Sequence, residues 1–534
     1  MNFGQLILVL NIGLIISILN IFHVIIGYAR TLPGQVYMAT GHYYLDYFQY
    51  LQALSQGWHG HWIFENYYGT DIKVKTFLGM WQFLILGQIG RHFGLSQIAT
   101  YWLSVIVLSA TLSILIFFFI KKLLDKKPFY WQLSAYILAL FAAPFFRIIN
   151  ANGHFITTNY RFWNDKAVLI DRFGGIPYHI VDQIIVLLVV MLVVDSLEKI
   201  KNLSKKSLVI RIITIVGTLT FLLSFSPAYF LLVTGSLFLT SIWLFIDKKS
   251  WSRICFLGII LVILFPITLF IRSTFNDQYS VVTQIESAWQ IHPPFIDVLL
   301  TTGPILLFAW LGIKEYFHKL SFVKIIFFNF IFISYLLFFS PLASFLGITN
   351  TRFLTPLNYI FFAILTVAGI KRLKFLFIIS LIVFFLFIPG NFESVHNQIN
   401  DQNLNSPISY LPKGMVDGFK FLETVPGQQV VLTTPAQFLG SVVSIYSGKP
   451  VYLVRPGQQP DYAQKSDLSA KFYWNIFSED QAKEFMNKNQ IGFVVLTSIE
   501  GYPPNNLKNY KFLKEIYHNQ NIVIYQKISL PKSL

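Results

Sequence analysis

The chain of 534 residues is 54% hydrophobic and 12% charged, with a formal net charge of +16. Soluble globular proteins carry about 25% charged residues, so this balance excludes an ordinary soluble enzyme and points to a polytopic α-helical membrane protein. The basic residues lie between apolar segments, as in positive-inside topology, so no nucleic-acid partner is expected, and the single cysteine, Cys255, leaves no intrachain disulfide or multi-cysteine metal site.

The first apolar run, about 5–27, follows the residues MNFGQ, which carry no basic group, and no small-x-small site follows it. It reads as a retained span rather than a cleaved signal peptide. A long loop, about 28–97, comes next and opens on HYYLDYFQYLQ. Read as a helix, this stretch places Tyr44, Tyr47, Phe48 and Leu51 on one stripe, suited to the lipid headgroup region, and His42, Asp46, Gln49 and Ala53 on another. Gly57 and Gly60 are expected to stop the helix. The bland reading of Asp46 is a solvated carboxylate on an interfacial helix. Further along, residues 76–90 are apolar but bounded by Lys75 and Arg91 and too short for an ordinary span, so they read as an interfacial or re-entrant helix.

Further spans are expected near 98–120, 129–146, 178–196, 208–223, 227–246, 254–271, 298–313, 325–340, 354–370 and 374–389, about eleven in all. Every second loop is basic: Lys121, Lys122, Lys126 and Lys127; Lys199, Lys201, Lys205 and Lys206; Lys248, Lys249 and Arg253; Lys314, Lys319 and Lys324; Lys371, Arg372 and Lys374. These loops read as cytoplasmic, which puts the N-terminus inside and everything after Pro389 outside. The division is then a multi-span domain, 1–390, with long external loops 28–97 and 147–177, followed by an external α/β domain, 391–534. In that last part VVLTT, VYLV, GFVVLTS and NIVIYQK read as strands, with helices near 415–424 and 479–488.

No phosphate-cradling G-x-x-x-x-G-K-[ST] loop, H-E-x-x-H zinc helix or G-x-S-x-G elbow occurs, so chemistry is expected at the external membrane face. Arg147, Arg161, Arg172, Arg272 and Arg352 run against the positive-inside preference there. Arginine's planar fork binds phosphate oxygens bidentately. Arg172 in IDRFGGIPYH and Arg352 in NTRFLTP, with Arg272 as a third, are therefore candidate ligands for a lipid phosphate; an ion pair with a nearby carboxylate is the bland alternative. Asp165, Asp171 and His179, with Asp46 and Glu65, could hold a divalent cation, but their spacing is not diagnostic and no cofactor is expected.

These features together resemble the GT-C superfamily of membrane glycosyltransferases: an acid in an aromatic helix of a long first external loop (LDYFQYLQALSQGWHGHWIFEN), a second loop holding DRFGGIPYH, and a closing external α/β domain. The resemblance implies a polyprenyl-phosphate-linked sugar donor, in the manner of mannosyl- or arabinosyltransferases, with Asp46 as catalytic base or metal partner. His42, Gln49, Glu65, Asp171 and His179 are candidate acceptor or sugar contacts. Two departures stand out. Many members carry two adjacent acids in the first loop, whereas Leu45 and Tyr47 flank a single one here, and the Trp-Trp-Asp acceptor motif of oligosaccharyltransferases is absent. The expected function is sugar transfer at the external face to a cell-envelope glycan, lipid or protein. The alternatives are a transporter or flippase of lipid-linked saccharide, which needs ionisable groups within its spans, and a non-enzymatic membrane scaffold.

Overall fold

The computed structural model describes every residue except 1, 41–43, 66–74, 77, 126, 152, 248–249, 279, 319, 372–375, 401–407, 437, 455–458, 460 and 529–534. His42 therefore lies outside the described residues, as do Lys126, Lys248, Lys249, Lys319, Arg372 and Lys374 of the basic loops. Each expected span overlaps a helix, several of them over only part of their length. Among the described residues, seven helices are long and apolar enough to cross a membrane: Phe3–Asn20, Gln97–Leu123, Pro177–Asn202, Lys205–Leu223, Pro227–Ile246, Trp251–Thr274 and Phe322–Phe339. The pair Phe295–Thr302 and Leu306–His318, bent by 90°, makes an eighth if it is one broken span; Phe129–Phe141 and Asn358–Ile370 are shorter.

Local chemistry explains the short ones. The segment expected over 129–146 stops at Phe141 because Ala142–Pro144 are non-helical and a strand begins at Phe146. The segment over 298–313 breaks at Gly303, which has φ +88 and passes so close to the Ala143 carbonyl that a Cβ there would overlap it. Only glycine meets both demands. The long helices show apolar side chains outward, Val262 being 72% exposed in the middle of Trp251–Gln278, an arrangement suited to lipid and not to water. Their charged residues lie within about two turns of a helix end.

The chain divides into two compact units: residues 1–21 with 105–398, and residues 22–104 with 399–534. The division expected from the sequence lay at 390. The first long loop clusters with the C-terminal part because its hydrogen bonds go there. Gln35–Tyr37 pairs antiparallel with Tyr410–Pro412. Gln52 Nε2 donates to Ser444 Oγ at 2.8 Å, and Ser55 Oγ to the Ile445 carbonyl at 2.5 Å.

In this second unit a sheet runs in the order Val430–Leu432, Ile491–Thr497, Ile522–Lys527, Leu513–Asn519, the first pair parallel and the others antiparallel. Ile491–Thr497 is buried at every position, which is why its sequence is a continuous apolar run. Helices Lys413–Thr424 and Glu479–Lys488 lie where the periodicity puts them; Leu439–Ser447 and Tyr462–Tyr473, and the outer strand Leu513–Asn519, are additional. VYLV forms one bridge, Val451 to Val431, rather than a full strand.

Helix Tyr44–Trp58 packs on Trp81–His92, the twelve-residue helix that overlaps the apolar segment near 76–90. The two cross at Gly57 and Gly87. A Cβ on Gly57 would overlap the Leu84 carbonyl oxygen, and one on Gly87 the Leu54 carbonyl oxygen. Gly57 thus serves close approach inside the helix, and Gly60, at φ +100, is the residue that ends it.

Candidate active site

Asp46 occupies the first turn of helix Tyr44–Trp58, where the exposed N–H groups and the helix dipole favour a carboxylate. It is half-buried, as is Gln49 one turn on. The aromatic stripe does not face the headgroups. Tyr47, Phe48 and Leu51 are buried inside the unit, with Tyr47 OH donating to the Met38 carbonyl at 2.8 Å and its ring against Tyr101 and Trp102. Amphipathic spacing shows that a face is covered but not by what, and here protein covers it. Burial pushes the Tyr47 phenol well above the usual tyrosine range, so it is a fixed hydrogen-bond donor and no base.

The approach to this helix is also fixed. Ala39 sits at φ +53, a left-handed conformation that costs a non-glycine residue roughly 1–2 kcal/mol. Trp102 Nε1 donates to the Ala39 carbonyl at 3.1 Å, Met38 N to the Ser409 carbonyl at 2.8 Å, and the Thr40 and Ser409 hydroxyls bond each other. Backbone strain of this kind concentrates at functional sites. Glu65, half-buried, starts the short ladder with Lys75, and Gln56 of the acid-bearing helix exchanges bonds with its backbone at 2.8 and 3.0 Å.

The arginine candidates lie in the other unit. DRFGGIPYH forms the short helix Leu169–Phe173, ended by Gly174 at φ +63, whose carbonyl accepts from Asn20 Nδ2 at 2.9 Å. Arg172 is 3% exposed. Its Nη1 donates to the Ala139 carbonyl at 3.1 Å, and its Nη2 to those of Ala142 and Ala167; the guanidinium lies 4.1 Å from the Tyr359 ring centre. Burial pushes this guanidinium down to about 10. The fork offered as a phosphate ligand is committed to carbonyls, so Arg172 holds the fold together. Asp171 pairs with Arg161. Arg272 is exposed near the end of helix Trp251–Gln278.

Arg352 donates through Nη2 and Nε to Glu286 at 2.8 and 3.4 Å, and remains one-third exposed. Burial works to raise the Glu286 carboxyl, but Arg352, with Thr349, outweighs it and holds the acid below the usual range.

Lys166 was not singled out in the sequence. It belongs to a tight turn, 161–167, built around Asp165. That buried carboxylate accepts from Arg161 Nε and Nη2 at 3.2 and 3.0 Å and from the backbone N–H of Phe162 and Ala167. Burial pushes the Asp165 carboxyl up while Arg161 pulls it down; for Arg161, Asp171 and Asp165 outweigh burial and keep it firmly charged. Two residues of the turn, Asn164 at φ +60 and Lys166 at φ +54, are left-handed. The Lys166 ammonium makes no hydrogen bond or ion pair among the described residues, and burial pushes it down against the pull of Asp171. His179 Nδ1 stands 3.9 Å from Asp182, which is buried and accepts from Ser226 Oγ at 3.2 Å. Among the described residues no three His, Cys, Asp or Glu side chains are grouped to hold a metal ion.

No family model matches the sequence, and no curated protein matches it. Solved structures do. The chain is similar to the oligosaccharyltransferase AglB from Archaeoglobus fulgidus, solved with an inhibitory peptide and a dolichol-phosphate, at TM-score 0.53 and 11% identity, covering 99% of this chain and 75% of that one. It is similar to ArnT from Cupriavidus metallidurans bound to undecaprenyl phosphate, at 0.50 and 10%, covering 99% of each. It is similar to the arabinofuranosyltransferase AftD from Mycobacteria at 0.55 and 10%, covering 98% of this chain and 42% of that one. These likenesses show a fold that the chain shares with these three glycosyl-transferring proteins.

Proposed function

We propose that the protein is a membrane glycosyltransferase that moves a sugar from a polyprenyl-phosphate donor to an acceptor at the external membrane face. The observation that carries this reading is Asp46, a half-buried carboxylate at the start of a helix whose other faces are clamped by protein. The whole-length similarity to ArnT, solved with undecaprenyl phosphate, supports it. In the proposed step an acceptor hydroxyl attacks the anomeric carbon and gives its proton to Asp46. The new glycosidic bond forms as the carbon–oxygen bond to phosphate breaks, and polyprenyl phosphate leaves. Arg352, with Arg272 as a second, is the candidate read from the sequence for the positive charge that stabilises a departing phosphate. Gln49 and Glu65 are the proposed acceptor contacts. Charged residues confined to the ends of the spans weigh against the transporter reading.

Purified chain in proteoliposomes, given polyprenyl-phosphate sugars and a cell-envelope extract as acceptor, should release free polyprenyl phosphate in step with acceptor glycosylation. Movement of intact donor across the bilayer without release would support the transporter instead. The proposed orientation has its own test. In a Cys255→Ser background, cysteine at exposed Lys201 should resist an impermeant thiol reagent in intact cells, and cysteine at exposed Lys508 should react. The reverse labelling would invert the topology.

A further inference from the structure

Two tryptophans outside this machinery are presented to solvent in an unusual way. Trp163 and Trp289 come from separate loops of one unit and stack face to face, with ring centres 4.2 Å apart and planes inclined by 21°. They remain 40% and 47% exposed, and neither indole N–H has a hydrogen-bond partner among the described residues. Each is held rigidly. Trp163 rides on the Asp165-centred turn, flanked by the left-handed Asn164, whose Nδ2 lies 3.5 Å from Thr351 Oγ1. The segment carrying Trp289 is bolted to residues 348–350. Gln290 Nε2 donates to the Ile348 carbonyl at 3.1 Å, Asn350 Nδ2 to the Ile291 carbonyl at 2.7 Å, and Ile291 N to Asn350 Oδ1 at 3.0 Å.

Charged groups lie close along the chain to both tryptophans. Glu286 is one helical turn before Trp289 and holds Arg352; Arg161 is two residues before Trp163 and holds Asp171. All four remain partly exposed. Aromatic faces carry negative charge and attract the C–H face of a sugar ring, while carboxylate, guanidinium and indole N–H groups bond its hydroxyls. Tryptophans that serve only as an interfacial belt need neither the left-handed turn nor these ion pairs.

We propose that Trp163 and Trp289 form a saccharide-binding platform that takes a pyranose ring of the donor or of the acceptor. The assignment to those two substrates rests on the transferase reading; binding itself does not. The test is ligand-observed saturation-transfer NMR on the full chain in nanodiscs, with methyl α-mannopyranoside, methyl β-glucopyranoside and methyl β-galactopyranoside as probes. Transfer to ring C–H protons is expected for at least one probe, falling about fivefold or more in Trp163→Ala and Trp289→Ala and persisting in the phenylalanine variants, which keep an aromatic face. Variants are compared at matched melting temperature. In the transfer assay, a raised KM for acceptor at unchanged kcat places the acceptor ring on the platform, and a raised KM for donor places the donor ring there. Binding that depends on the tryptophans in a chain that transfers no sugar would keep the platform and remove the transferase. Unchanged saturation transfer in both alanine variants, or quenching of the pair by brominated lipids with no response to any probe, would overturn the platform and leave the transferase reading intact.

Discussion

Asp46→Asn should reduce sugar transfer by about 10²–10⁴-fold while leaving expression and membrane insertion unchanged, because general-base catalysis has about that worth. Asparagine nearly matches aspartate in shape, so the helix should form as before and keep Tyr47 and Phe48 in their buried places. Its amide cannot take the proton of the acceptor hydroxyl. Asp46→Glu should also be impaired, since an added methylene moves the carboxylate out of line with the attacking oxygen. Gln49→Ala, one turn away at a proposed acceptor contact, should act through the KM for acceptor rather than through kcat. Its loss should be far smaller than that of Asp46→Asn.

The second large effect is expected at Arg352. Lysine there keeps the positive charge and can still meet Glu286, but it loses the planar fork. Bonds to charged groups contribute about 1.5–3 kcal/mol each, so Arg352→Lys should raise the KM for donor by roughly 10–100-fold. Glu286→Gln distinguishes the two roles of this arginine. If Arg352 serves only to hold Glu286, the glutamine variant should show the same loss as the lysine variant. If it serves the donor phosphate, Glu286→Gln should keep donor KM within about threefold, because the guanidinium remains. Equal donor KM for wild type and Arg352→Lys would remove the phosphate role.

The helical segments and the buried strand at Ile491–Thr497 were legible because each writes its environment into consecutive residues. Long apolar runs and a seven-residue buried strand need no distant partner to be recognised. What the sequence left open depended on contacts far along the chain. Arg172 was visible as a cation on the wrong side of the charge pattern, yet nothing local announced that the carbonyls of Ala139, Ala142 and Ala167 would occupy its fork. Glu286 pairs with an arginine 66 residues away and was passed over for the same reason. Lys166 was hidden differently. Its standing comes from a left-handed turn organised by Asp165, and neither residue belongs to a turn motif with glycine or proline at the usual places. The aromatic stripe of the Asp46 helix was correct in its spacing and misassigned in its surroundings, since periodicity cannot tell lipid from protein.

The central claim is that one carboxylate, Asp46, takes a proton during sugar transfer. It is tested most directly by single-turnover transfer from a radiolabelled polyprenyl-phosphate sugar, comparing wild-type chain and Asp46→Asn in proteoliposomes matched for protein. The account predicts label in the acceptor for wild type and about 10²–10⁴-fold slower appearance for the variant. Label appearing at the same rate in both would contradict it and leave Asp46 with no part in the chemistry.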